Sequence, residues 1–118
     1  MNPNQLPPHD LAAERGLLGS ILRDNTVMAD VADAVAPDSF YAHAHQVIYR
    51  AMFDLDAKRE PIDLVTVANA IRAHLADVGG PIYLAELWEA APTAQNADYY
   101  ALIVREKADT RRLIHVAN

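Results

Sequence analysis

Apolar residues recur at three- and four-residue spacing along most of this chain, a pattern typical of amphipathic helices. The longest stripe lies between about Ala44 and Lys58 and consists of Val47, Ile48, Ala51, Met52 and Leu55. No stretch alternates long enough to indicate a strand. The sequence therefore predicts an all-α fold of about six helices. The first predicted helix follows Asp10. The next four cover Thr26–Val35, about Ala44–Lys58, Leu64–Leu75 and Pro81–Ala90, and the last begins after Asn96 and runs towards the C-terminus.

Helix start and stop signals divide these segments. His9 or Asp10, then Asn25, then Asp63 precede three of the predicted helices and can cap them. Gly79 and Gly80 tolerate the positive φ that ends a helix, and Pro81 suits the first turn of the next one. Pro92 disfavours helical geometry at the residue before it, so the predicted aromatic helix, anchored by Leu87 and Trp88, should end there.

Two glycines lie inside the first predicted helix, at positions 16 and 19. Each costs helix stability, about 1 kcal/mol relative to alanine, so we expect them to permit close approach of a neighbouring helix. A phosphate-binding loop is excluded, because this segment follows no strand and lacks the lysine of that motif.

The last predicted helix changes character along its length. Its first turns are rich in apolar side chains that we expect to dock on the body, namely Tyr99, Tyr100, Leu102, Ile103 and Val104. Residues 105–112 offer only Ala108 to a core, and apolar residues return at Leu113, Ile114, Val116 and Ala117. The pattern predicts that the helix leaves the body from Arg105 onward. Its far end would then pack against a missing continuation of the chain or against a second copy.

The charge distribution argues against autonomous nucleic-acid binding. Residues 1–104 carry six Lys/Arg and fourteen Asp/Glu, a net charge of −8, whereas residues 105–118 carry four and two, a net charge of +2. An acidic body repels phosphate backbones. DNA contact by the basic end is left as an alternative, although its interleaved acids favour a salt-bridged exposed helix.

The sequence contains no recognisable catalytic or metal-binding motif. Cysteine is absent, which excludes disulfides and thiolate metal sites. His43 and His45 are two residues apart and point to different sides of a helix, unlike zinc ligands at four-residue spacing. We interpret His45 as a structural residue near Phe40 and Tyr41, both expected in the core. No apolar run is long enough to span a membrane, which favours a cytoplasmic protein.

Several short blocks, taken together, resemble the opening of the bacterial replicative DNA helicases of the DnaB family. They occur in the order and spacing of that family over about residues 6–117. The blocks are Leu6–Glu14 with Leu17–Leu22; Phe40-Tyr41 with His45, Ile48 and Tyr49; Pro61–Val67; Val78–Gly80 with Tyr83, Leu84 and Leu87; Pro92–Ala94 with Asn96; Tyr99-Tyr100; Ile103–Lys107; and Arg111–Ile114.

The resemblance implies a domain organisation. Residues 1–8 would be a flexible arm, 9–104 a helical head, and 105–118 the start of an incomplete helical hairpin. The linker and the RecA-like ATPase domain of the family have no counterpart here, so the chain itself should neither bind a cofactor nor catalyse a reaction. ATP and Mg²⁺ would belong to that absent domain.

The resemblance also implies partners. In this family, paired hairpins build dimers, three dimers form a collar on the hexamer, and the collar binds the C-terminal helicase-binding domain of primase, with loader proteins in some lineages. We expect a partner-facing or dimer surface on the last helix, formed by Ile103, Lys107, Leu113, Ile114 and Ala117. The alternative is a stand-alone helical adaptor that binds primase or a helicase loader.

Overall fold

The computed structural model describes residues 5–117, and the side chains of residues 5–115. This part of the chain is helical and contains no strand, which confirms the predicted all-α fold. The helices are α1 (Leu11–Arg23), α2 (Thr26–Val31), α3 (His43–Ala57), α4 (Leu64–Ala70), α5 (Gly80–Ala90) and α6 (Ala97–Ala117), with 3-10 turns at Pro37–Ser39 and Ala76–Val78.

Helix α1 lies at the centre of the fold, between α5 and α6. Its Leu17, Leu18 and Ile21 are fully buried. The two glycines face the flanking helices: Gly16 meets the Tyr100 ring of α6, and Gly19 meets the backbone of α5. The predicted role of these glycines in close helix packing is therefore confirmed.

Local sequence signals set most of the helix boundaries. The Asp10 carboxylate accepts a hydrogen bond from the Ala13 amide at 3.0 Å and caps α1. Asp63 caps α4 by accepting from the Thr66 amide at 2.8 Å. Gly79 and Gly80 have φ values of 108° and 74°, in the left-handed region that favours glycine. These predictions are confirmed.

Two helices are shorter than predicted. Helix α2 ends at Val31 rather than Val35, and α4 ends at Ala70 rather than Leu75. After α4, the Arg72 and His74 amides bond to carbonyls three residues earlier, so the chain tightens out of α-geometry. Asn25 does not cap α2 with its side chain, because that amide bridges from the Ile21 carbonyl to the backbone of Ile62.

Two aromatic residues lie closer to the surface than predicted. Phe40 is fully buried, but Tyr41 is only half-buried and stacks on His9 with ring centroids 4.2 Å apart. Leu87 is a core anchor as predicted, whereas Trp88 is half-buried beneath the Arg23 guanidinium, which lies 3.9 Å from the ring centroid.

Residues 1–4 of the predicted arm lie outside the described part of the chain. The end of the arm contacts α6, since the Pro8 carbonyl accepts a hydrogen bond from Arg111 Nη1 at 2.9 Å. Within residues 5–117, no helix combines the length and the apolar character needed to cross a membrane.

Tyr49 provides a pH-dependent test of this core. Its buried hydroxyl donates to the Val35 carbonyl at 2.6 Å, and desolvation raises the pKa of Tyr49. The folded state therefore holds the proton above the ordinary tyrosine pKa of about 10, where the unfolded chain releases it. The contribution of the bound proton to the free energy of unfolding is therefore fully present below pH ~10 and is lost as the pH rises above it.

We expect Tyr49→Phe to flatten the alkaline fall in the free energy of unfolding. The variant should lose about 1 kcal/mol at pH 7, because the Val35 carbonyl loses its donor. Urea unfolding at pH 7 and above pH ~10 checks this difference. Tyr83, whose pKa is also raised by burial, titrates in both proteins and cancels from the comparison. Identical alkaline slopes would contradict the prediction.

Candidate interaction surface

A buried polar cluster joins α1, α3 and α5. The Glu14 carboxylate accepts hydrogen bonds from the amides of Tyr41 and Ala42, at 2.7 and 3.3 Å, and pairs with His45 Nδ1 at 2.8 Å. The Nε2 atom of His45 is hydrogen-bonded to the Tyr83 hydroxyl. Both Glu14 and His45 are buried, and their polar atoms are already paired with one another or with the backbone. The cluster is structural, as predicted for His45.

Sequence reasoning missed the role of Glu14. Its position near the start of α1 suggested only a favourable interaction with the helix dipole. The structure instead places its carboxylate at the N-terminal end of α3, where it accepts from two backbone amides that precede or begin that helix. No local pattern indicates this role, because the partners are 27 to 31 residues away in the chain.

Helix α6 packs on the body through small residues. Ala97, Ala101, Val104 and Ala108 are buried at alternating four- and three-residue spacing. The expectation that Tyr99 and Leu102 dock on the body is wrong, since they are 70% and 54% exposed. The close approach of α1 leaves room only for small side chains on the inner face, so the larger apolar residues point outward.

The C-terminal half of α6 also remains attached to the body. Arg105 donates to the Ala34 carbonyl at 3.0 Å, and Arg111 donates to the Ser39 carbonyl at 2.7 Å. Arg112 lies 3.6 Å from the Asp38 carboxylate. The prediction that the helix leaves the body from Arg105 onward is therefore wrong, because these long side chains reach polar groups that the apolar pattern does not count.

Arginines at the basic end of α6 pair with acidic and backbone groups of this chain. Arg105 and Arg112 both pair with Asp109, at 3.2 and 2.8 Å, which agrees with the predicted salt-bridged helix. Arg111 donates hydrogen bonds to the backbone carbonyls of Pro8 and Ser39. Three of the four basic side chains in this end thus have partners within the chain, while residues 105–118 keep a net charge of +2. DNA contact by this end stays an untested alternative.

The five predicted partner-facing residues do not form a single exposed patch. Leu113 is 70% exposed, whereas Ile103, Lys107 and Ile114 are half-buried along one flank of α6. The side chain of Ala117 lies outside the described residues. The outer face that runs through Leu113 also contains Tyr99 and Leu102, which sequence reasoning assigned to the core. Alanines occur at core spacing along the same helix, but this spacing alone does not decide which face is buried.

Comparisons with known proteins give a consistent result. Residues 6–106 match the family model described as the DnaB-like helicase N terminal domain. The chain is 42% identical over 115 residues to the replicative DNA helicase DnaB of Geobacillus stearothermophilus, covering 96% of this chain and 25% of that protein. It is 47% identical over 110 residues to DnaB of Mycobacterium leprae, covering 92% of this chain and 18% of that protein.

Two solved structures share the fold. The N-terminal domain of DnaB helicase from Mycobacterium tuberculosis superposes with a TM-score of 0.92 and 46% identity, over 95% of this chain and 79% of that one. A DnaB-like replicative helicase, described with its interactions with primase, superposes with a TM-score of 0.83 and 29% identity, over 92% of this chain and 26% of that one.

Proposed function

The chain belongs to the DnaB-like helicase N-terminal domain family, and we propose that it serves as an assembly and docking module of a replicative helicase. In this role it forms part of the collar of a hexamer and binds the C-terminal helicase-binding domain of primase. Helicase loaders are a further class of partner for the same module. The chain spans about a quarter of the length of the Geobacillus stearothermophilus helicase. The roles of a whole helicase are therefore proposed for this chain.

One observation supports this proposal most directly. Tyr99, Leu102 and Leu113 expose more than half of their side-chain surface on the outer face of α6. They follow one another at spacings that keep them on one side of a helix. Tyr99 and Leu102 lie one turn apart, and Leu113 lies about three turns further along the same side. Exposed large apolar side chains that share one side of a helix favour a protein interface over a solvent-facing surface. One relative whose structure contains this fold is described with its interactions with primase.

The proposed partner surface comprises Leu113 on the outer face and Ile103, Lys107 and Ile114 on the adjacent flank, with Ala117 one turn further along α6. Leu113 supplies exposed apolar area, and Ile114 extends it around the helix. Lys107 adds a cation between apolar positions, which favours a partner with an acidic group at that point.

Under this proposal, another part of the helicase carries out catalysis. The residues of α1 that could suggest a phosphate loop are used for helix packing, and the buried Glu14–His45 pair is saturated with structural contacts. ATP and Mg²⁺ would act in a part of the helicase that this chain does not span. The module's contribution is to hold subunits and partners together, with no direct DNA contact.

We expect Leu113→Asp combined with Ile114→Asp to abolish both self-association and primase binding. Two carboxylates would be desolvated at the interface, and loss of an interface hot spot alone costs about 2 kcal/mol or more. Analytical ultracentrifugation and binding of the helicase-binding domain of primase, measured on the full helicase chain, check this expectation. Val65→Asp is the matched control, because Val65 is also highly exposed but lies on α4. Unchanged assembly and binding would refute the surface.

A further inference from the structure

A second apolar surface lies away from α6, in a groove along α5. The groove has a volume of about 650 Å³ and is lined by Leu64, Ile82, Ala85, Glu86, Trp88 and Glu89. Ile82 is 75% exposed, although it is a large apolar residue. We propose that this groove, called here the α5 groove, binds an amphipathic helix of a partner protein, with Lys or Arg flanking its apolar residues.

The shape of the α5 groove fits a helix. Ile82, Ala85, Glu86 and Glu89 occur at spacings of three and four residues, so they form one face of α5 over about two turns. At 1.5 Å per residue this face is about 10 Å long. Two or three apolar side chains at positions i, i+3 or i+4, and i+7 of a partner helix cover that length.

The exposed apolar side chains of the α5 groove do not belong to this chain's own core. The opposite side of α5 already buries Leu84 and Leu87 and places Tyr83 against His45. Rotating α5 to bury Ile82 would expose these leucines and break the polar contact. The apolar surface of the groove is therefore not used by the core that the described residues form.

One wall of the groove is held in place before any partner arrives. Arg23 donates two hydrogen bonds to the Trp88 carbonyl, at 3.1 and 3.0 Å, and its guanidinium stacks on the indole ring. The stack restrains one face of the ring, and the hydrogen bonds fix the backbone that carries it. A pre-organised wall lowers the entropy that binding must overcome.

The charge of the rim identifies the class of occupant. Glu86 and Glu89 are exposed carboxylates at the edge of the apolar surface, on a body of net charge −8 over residues 1–104. Carboxylates repel nucleic-acid phosphates and anionic lipid headgroups. They attract Lys or Arg placed beside the apolar anchors of a helix. An apolar floor with an acidic rim therefore favours a basic amphipathic helix.

Trp88 is the only tryptophan of the chain, so its fluorescence reports directly on the α5 groove. The probe is a synthetic helix of about fourteen residues with leucine at i, i+4 and i+7 and lysine at the flanking positions. A second peptide carries glutamate in place of every lysine. We expect saturable changes in Trp88 emission and in the amide NMR shifts of α4 and α5, with the glutamate peptide at least about tenfold weaker.

Four variants test whether the peptide binds in the α5 groove or is attracted generally to an acidic protein. Ile82→Ser should weaken the lysine peptide about tenfold, whereas Val65→Ser, at a residue 77% exposed outside the groove lining, should leave its affinity unchanged. Glu86→Gln with Glu89→Gln should reduce the salt dependence of binding, and Asp54→Asn with Asp56→Asn should not. Equal binding of both peptides, equal effects of paired variants, or no saturable change in either readout would overturn the proposal.

Discussion

Glu14→Ala is expected to destabilise the domain by about 3 to 5 kcal/mol, because three donors lose their acceptor and each unsatisfied buried donor costs about 1 to 3 kcal/mol. The substitution leaves His45 without its carboxylate and deprives the Tyr41 and Ala42 amides of their acceptor. Each of these groups would lose a hydrogen bond in a site that is poorly accessible to water. The effect is large because one side chain serves three donors.

Urea unfolding followed by circular dichroism measures this loss. Glu106→Ala is the matched control, since Glu106 is exposed in the middle of α6 and such surface substitutions change stability by about 0.5 kcal/mol or less. A loss below about 1 kcal/mol for Glu14→Ala would show that water satisfies the abandoned donors, and would contradict the structural role assigned to the cluster.

Gly19→Ala is expected to cost about 3 kcal/mol despite the better helix propensity of alanine. A methyl group at this position would collide with the Leu87 carbonyl oxygen and would lie 3.2 Å from the Ala91 side chain. Backbone atoms cannot rotate aside, so α1 and α5 would have to separate. Leu17 and Leu18, buried on the same helix, would lose part of their packing.

Gly16→Ala is the natural comparison for this prediction. The added methyl group would meet the ring of Tyr100, with its nearest atom at 2.8 Å. That ring is half-buried and can swing towards solvent, so the steric cost is offset by a helix-propensity gain of about 1 kcal/mol. Thermal unfolding should place Gly16→Ala near the parent and Gly19→Ala well below it. Equal losses in the two variants would contradict the assigned difference between ring and backbone.

Features that depend on a few neighbouring residues could be predicted from the sequence. Asp10 and Asp63 cap helices because their carboxylates reach amides three residues ahead. Gly79 and Gly80 end the Ala76–Val78 turn because their backbones accept positive φ. The apolar stripe of α3 also follows from spacing alone, with Ile48, Met52 and Leu55 buried as expected.

The orientation of α6 could not be predicted in the same way. Tyr99 and Leu102 are more hydrophobic than Ala97 and Ala101, yet the alanines face the core. The deciding quantity is the distance to α1, which a single helix does not encode. The long-range bonds of Arg111, to carbonyls 72 and 103 residues away in the chain, are equally invisible to local patterns.

The candidate interaction surface could be predicted only in part from the sequence. Leu113 stands out because an apolar residue follows a polar run, and the structure finds it exposed. The α5 groove gave no such signal. Ile82 is one apolar residue among several in the predicted aromatic helix, and its exposure becomes evident only when the buried positions of Leu84 and Leu87 fix how that helix is turned.

The arginine contacts of α6 connect its C-terminal half to the centre of the domain. Arg111 donates to the carbonyl of Ser39, and Arg112 lies beside Asp38, so the Pro37–Ser39 turn is bonded directly to α6. Glu14 holds the amides of Tyr41 and Ala42, just beyond that turn. The C-terminal half of α6 and the buried Glu14 of α1 therefore belong to one connected set of polar contacts, which runs through the Pro37–Ser39 turn.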